Sequence, residues 1–154
     1  MGFLTKIAIC IVVTGVALHV IGFATPHWQE LNNLRIGLWE ICYDTEGCRS
    51  VFNDSHIFVN RAAQTMECLA LICGVVCVVV SIMMSLQVEM TKGRCFKIVS
   101  VGTAFLAGIC GLIGAIIFGM EDNLKDNKNT LSWSFATVIV GAILNIVGGC
   151  LLIP

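Results

Sequence analysis

The sequence predicts an all-α transmembrane protein, a bundle of four helices that displays a small cystine-pinned structure outside the bilayer. Three observations lead there. Hydrophobic residues make up 57% of the chain and charged ones only 12%, where soluble domains carry roughly 25% charge. Four apolar runs are each long enough to cross a bilayer. Between the first two lies a polar stretch, Trp28 to Cys48, whose cysteines sit among acidic and amide residues. The length fits one domain, 1–154. A net charge of −1 leaves no footprint for nucleic acid.

The first run covers about 4–24, with Lys6 as its sole charge, and ends at Thr25-Pro26. At 1.5 Å per residue such a helix spans about 30 Å, the thickness of the hydrocarbon. A cleaved signal peptide is the alternative, since Gly22-Phe23-Ala24 resembles a small-x-small site. Against it, the apolar stretch is long and its basic leader is a single lysine. His19 lies inside the run. No carboxylate is expected at its depth, so it reads as a polar contact to a neighbouring helix rather than a proton sensor.

The first outer loop covers about 26–61. Leu34, Ile36 and Leu38 alternate with Arg35 and Gly37, and Trp39, Ile41 and Tyr43 alternate with Glu40 and Cys42. That period of two is a strand signal. The phase shift near Leu38-Trp39 reads as a bulge or a strong twist. Asp44 to Gly47 supplies turn residues, so Cys42 and Cys48 face each other across a hairpin. Zinc is the rival reading for this pair. It needs about four ligands, and the loop adds only His27 and His56. The other cysteines lie in or beside apolar runs, where Cys behaves as a small hydrophobe. Asn53-Asp54-Ser55 is a glycosylation sequon, making Asn53 a candidate acceptor.

The second run covers about 62–86, with Glu67 near its outer end. Cys73, Cys77, Ser81 and Ser85 recur at every fourth position. The third covers about 98–118, where Ala107, Gly111 and Ala115 form one stripe and Ala104 and Gly108 another. The fourth covers about 133–153, with Thr137, Gly141, Asn145 and Gly149 on one line. Lipid supplies no hydrophobic force between helices, so close approach at small residues and hydrogen bonds must hold them. Each stripe is therefore expected to be a packing face. The turn 87–97 holds Lys92, Arg94 and Lys97 against Glu89, while the second outer loop, about 120–130, adds Glu121, Asp122 and Asp126. The positive-inside rule then places both termini in the cytosol and the cysteine hairpin outside.

No catalytic set is present. The three histidines lie apart, there is no Gly-rich phosphate loop, and the spans lack the proline breaks usual in transporters. The expectation is a protein that is not an enzyme and has no cofactor or metal. Its function would lie in the displayed loops or in lateral helix contacts.

Trp28, Gly37-Leu38-Trp39, Cys42 and Cys48 resemble the W…GLW-x-x-C…C signature of the claudin superfamily, which includes claudins and the peripheral myelin and epithelial membrane proteins. Pro26-His27-Trp28 is similar to the claudin form, and Arg61 sits where claudins carry a basic residue. Thr91-Lys92-Gly93 looks more like the epithelial membrane branch. The resemblance covers the whole chain. It implies a left-handed bundle, a small antiparallel extracellular sheet packed on the helix tops by the GLW segment, and a Cys42–Cys48 bridge across two strands. It also implies palmitoylation at Cys95 and Cys150. Two departures are the short cysteine spacing and the stop at Pro154. The second makes scaffold-domain binding through a C-terminal tail unexpected.

Two functions follow from the resemblance. One is cell–cell adhesion at the plasma membrane, with self-association in cis and trans forming or tuning a paracellular barrier of tight-junction type. Glu40, Asp44 and Glu46 would bias such a path toward cations. The other is an auxiliary or regulatory partner of another membrane protein, a channel or receptor, bound laterally within membrane lipid.

Overall fold

A bilayer offers the backbone no hydrogen bonds, so apolar runs of this length must satisfy their own amides as helices. The computed structural model describes residues 3–31, 33–53, 61–86, 94–122 and 130–153. Its helices are α1 (Phe3–Ala24), α2 (Arg61–Ser85), α3 (Arg94–Asp122) and α4 (Trp133–Leu152). All four are long and apolar enough to cross a membrane. Their outward faces are apolar too, with Ile72 at 61% and Ile116 at 57% exposure. Water would make so much contiguous apolar surface a liability, whereas lipid tails accept it.

The third helix outruns the expected 98–118 at both ends. Its 29 residues extend to about 43 Å at 1.5 Å each, well beyond the hydrocarbon. The polar ends, Arg94–Lys97 and Glu121–Asp122, stay helical where hydropathy alone would stop.

Small side chains set the helix spacing. The α1–α4 and α2–α3 seams are the most extensive, α3–α4 follows, and α1–α2 is the thinnest. Gly15 and Gly141 face each other so closely that a Cβ on Gly141 would lie 2.6 Å from the Gly15 carbonyl oxygen. Gly22, Gly108 and Gly148 are equally hemmed in by the helices opposite. Ala107, Gly111, Ala115, Asn145 and Gly149 are all buried. Between α2 and α3 the buried hydroxyls of Ser81 and Ser100 bond at 2.7 Å, and the Cys77 thiol donates to the Ser100 carbonyl.

At one end of the bundle lies a five-stranded sheet of β1 (Gln29–Leu31), β2 (Leu34–Ile36), β3 (Glu40–Tyr43), β4 (Gly47–Ser50) and β5 (Thr130–Leu131). The order is β4-β3-β2-β1-β5, and every pairing is antiparallel. The phase shift at Leu38-Trp39 is neither a bulge nor a twist. It is a full reversal that folds β3 back on β2, placing Ile36 opposite Ile41. Asn33 caps the other end of that pairing, its carbonyl accepting the Asp44 amide. A short 3₁₀ turn, Val51–Asn53, follows β4.

Filling a glycine gap should be costly only where backbones touch. Gly141→Val is expected to destabilise the detergent-solubilised protein by about 1–3 kcal/mol, the usual toll of overpacking. Gly102→Ala, where an added Cβ meets nothing within 4 Å, should not lower the unfolding temperature and should gain up to about 1 kcal/mol of helix propensity.

Candidate functional site: a stapled sheet on the helix ends

The sheet stands on the helices through its aromatic and glycine residues. Trp28 is completely buried. A buried indole needs a partner for its N–H, and Trp28 Nε1 donates to the Gly22 carbonyl of α1 at 2.7 Å. The ring meets Phe118 of α3 edge-on, with centroids 4.9 Å apart, and Phe135 of α4 at 6.0 Å. One side chain thereby touches three helices. The adjoining backbone continues the tie, as Ser132 and Ser134 donate their amides to the carbonyls of Trp28 and His27.

Gly37 begins the reversal. A Cβ there would lie 2.5 Å from Cα of Pro26, so only glycine lets these two backbones pass. Its amide donates to the Glu40 carbonyl at 2.8 Å, closing the turn. Leu38 is fully buried. Its carbonyl, which the turn removes from the sheet ladder, accepts the side-chain amide of Gln64 of α2 at 2.8 Å. Trp39 lays its ring against Phe23 of α1 at 5.2 Å. The segment therefore joins the sheet to α1 and α2, and Trp28 joins it to α1, α3 and α4.

Above this base the sheet is stapled. Cys42 and Cys48 are paired in register across β3 and β4 and joined by a disulfide. Gly47 takes the left-handed φ of +82° that the tight turn needs. Glu40 and the two sulfurs lie within 4.8 Å of one another. The bridged sulfurs are not thiolates, however, so they lack the form that binds zinc. All side chains from Asp44 to Arg49 are exposed. Asp44 pairs with Arg35 at 3.3 Å, and Glu46 pairs with Arg49 at 2.8 Å. Among the described residues no cation pairs with Glu40, which is also exposed.

The arrangement is therefore a four-helix bundle carrying a disulfide-pinned antiparallel sheet, with a tryptophan and a GLW turn as its footing. The profile of the PMP-22/EMP/MP20/Claudin family matches residues 1–152. The chain belongs to that family. A search among curated proteins gives no significant match. Family membership and the four apolar helices make it a membrane protein.

Other residues singled out in the sequence fall in different places from this claudin-family footing. Arg61 is exposed at the first position of α2. Asn53 ends the 3₁₀ turn, and the rest of its sequon lies outside the described residues. Lys92 and Glu89 also lie outside them, as does Asp126. Cys95 and Cys150 are both exposed.

The expectation that no carboxylate shares the depth of His19 is overturned. Glu67 lies against it, with Nε2 and Oε2 3.1 Å apart and both side chains almost wholly buried. The contact is off the line of a well-formed hydrogen bond, and no other described group satisfies these atoms. Glycines make the room: a Cβ on Gly114 would lie 2.5 Å from Glu67 Oε1, and one on Gly111 would lie 3.2 Å from His19 Cε1. Each residue sits about 8–9 Å along the axis from the sheet-proximal end of its helix, at 1.5 Å per residue. That shared depth is the signal sequence reading passed over, by treating Glu67 as a rim residue. Gln64, one turn nearer the sheet, carried no signal beyond being polar.

Removing one member of this pair should strand the other in a dry site. His19→Leu or Glu67→Met alone is expected to cost about 1–3 kcal/mol. The double variant should recover most of that, as measured by equilibrium unfolding in detergent.

Proposed function

We propose that this claudin-family protein acts at cell–cell contacts of the plasma membrane, where its stapled outer sheet forms or tunes a paracellular barrier. The carrying observation is the contrast between the sheet's base and its tip. Trp28, Leu38 and Gln64 lock the base onto the helices, while the β3–β4 turn is exposed along its whole length. A rigid foot lets a small exposed tip meet a partner across an intercellular gap without a large ordering cost. Self-association in cis and trans is the matching assembly. Among the described residues β4 is an edge strand, with one side available to a lateral neighbour.

The disulfide supports one orientation. Of the described cations, Lys6, Arg94 and Lys97 lie near the helix ends remote from the sheet and Arg35, Arg49 and Arg61 at the sheet end, an even count, so the reading that both termini are cytosolic rests on the bridged cysteines belonging outside. The sheet then faces outward, where its disulfide is chemically at home.

Glu40 is the residue we assign to charge preference. Of the three acids of the hairpin, Asp44 and Glu46 are offset by their arginines, which leaves Glu40 as the hairpin's uncompensated charge among the described residues. Expression in an epithelial monolayer should change transepithelial resistance. Glu40→Gln is expected to lower sodium-over-chloride preference in dilution potentials by about two- to fivefold, the scale of one nearby charge in water. Asp44→Asn should shift it less. Unchanged resistance, with a stoichiometric foreign membrane protein retained in mild detergent, would overturn the barrier reading in favour of an auxiliary subunit.

A further inference from the structure

The apex of the outer sheet gathers metal-binding atoms on one face. Glu40 and Cys42 stand two residues apart on β3, so their side chains point the same way. Cys48 is the register partner of Cys42 on β4 and shares that face. The Glu40 carboxylate and the two sulfurs lie within 4.8 Å of one another. While the disulfide is closed, its sulfurs have no negative charge to offer a metal.

Opening the bridge changes the chemistry of the apex and spares its framework. The bridge joins residues at a sequence separation of 6, and so short a loop has little chain entropy to lose. The hairpin has other ties. Strand β3 is paired on both sides, with β2 and with β4. Ile41 is fully buried, Gly47 keeps the left-handed turn, and Glu46 pairs with Arg49. Cys42 and Cys48 therefore stay opposite one another as thiols. Access is one-sided, since Cys48 is exposed and Cys42 is buried.

We propose that the reduced apex is a zinc site, with Glu40, Cys42 and Cys48 as its protein ligands and water completing the tetrahedron. Zinc takes thiolate sulfur and carboxylate oxygen at about 2.0–2.3 Å, so atoms already this close need to shift by only about an ångström each. The mixed oxygen and sulfur set suits zinc better than copper(I), which is selected by soft ligands. Arg35, opposite Cys42 on β2, is turned toward Asp44 and His27 and leaves Glu40 to the metal. The site opens by thiol–disulfide exchange with a dithiol. One thiolate of the dithiol attacks the exposed Cys48 sulfur, forming a mixed disulfide there and releasing Cys42 as a thiolate. The second thiolate attacks the reagent's own bound sulfur, frees Cys48 and leaves as a cyclic disulfide. Two electrons pass from the dithiol to the cystine, and the protons the dithiol gives up end on the two new thiols. Zinc then displaces those protons to solvent. The metal ties β3 to β4 at the same residues as the bond it replaces, which gives the apex a second staple for reducing conditions. This holds whether or not the sheet serves a barrier.

The test uses the full chain in mild detergent, either oxidised or reduced with dithiothreitol and desalted without oxygen. Both forms are dialysed against zinc, and bound metal is measured by inductively coupled plasma mass spectrometry. The remaining cysteines are thiols in both forms, so the oxidised protein is the blank. The reduced form should hold about one zinc more than the oxidised form, and zinc should raise the unfolding temperature of the reduced form alone. Cobalt(II) in place of zinc should give a thiolate-to-metal charge-transfer band. Glu40→Gln, which retains both cysteines, should weaken zinc binding to the reduced form by at least about tenfold, the low end of what even an outer-shell partner costs. Cys48→Ser should abolish the extra zinc. Equal zinc in the oxidised and reduced forms overturns the proposal. So does an affinity that Glu40→Gln leaves unchanged, since the carboxylate would then be no ligand.

Discussion

The fold depends on how closely helix backbones can approach in a solvent that does nothing to push them together. Gly15 against Gly141, and Gly22 against Val138 and Ser134, bring α1 and α4 to near contact along much of their length. Dispersion and weak polar contacts then act at short range. The carbonyl of Gly22 is also the acceptor of the Trp28 indole. The same position that lets α1 meet α4 thus holds the sheet above them. A bulkier residue there would move the helix and the footing together.

The thinner α1–α2 seam is joined differently. Instead of glycine against glycine it has an imidazole against a carboxyl, His19 with Glu67, roofed by the glycine face of α3. Such a pair contributes less net stability than its distance suggests, because both groups give up water. What it does fix is register. Apolar side chains on two helices can slide past each other at little loss, whereas these two groups have one position in which each finds the other.

Much of this architecture is legible in the sequence, for a physical reason. A bilayer demands about 20 apolar residues per crossing, a signal that survives without tertiary context. The cysteine hairpin is legible because turn chemistry between Cys42 and Cys48 is local. The pairing of β5 with β1 is not, since Thr130–Leu131 is too short to show a period and is recruited from far along the chain. The reversal at Gly37–Trp39 was visible only as a break in alternation. Telling a bulge from a turn required Pro26, which presses on Gly37 from the other side. The ends of α3 were hidden because polar residues can continue a helix outside the hydrocarbon as well as end it. The electrostatics of the tip could not be apportioned by sequence either. Three acids looked equivalent until Arg35 and Arg49 were seen to take two of them.

The footing and the staple are fastened by separate means. Indole, amide and leucine contacts hold the lower half of the sheet, and a covalent bridge holds the upper half, with no side chain shared between them. The residues from Asp44 to Glu46 can therefore be rewritten without disturbing the pedestal beneath, while Gly47 keeps the left-handed turn. Such a division makes the protein a mount with an interchangeable head, in which new recognition can arise by small changes at the apex while the buried scaffold stays the same.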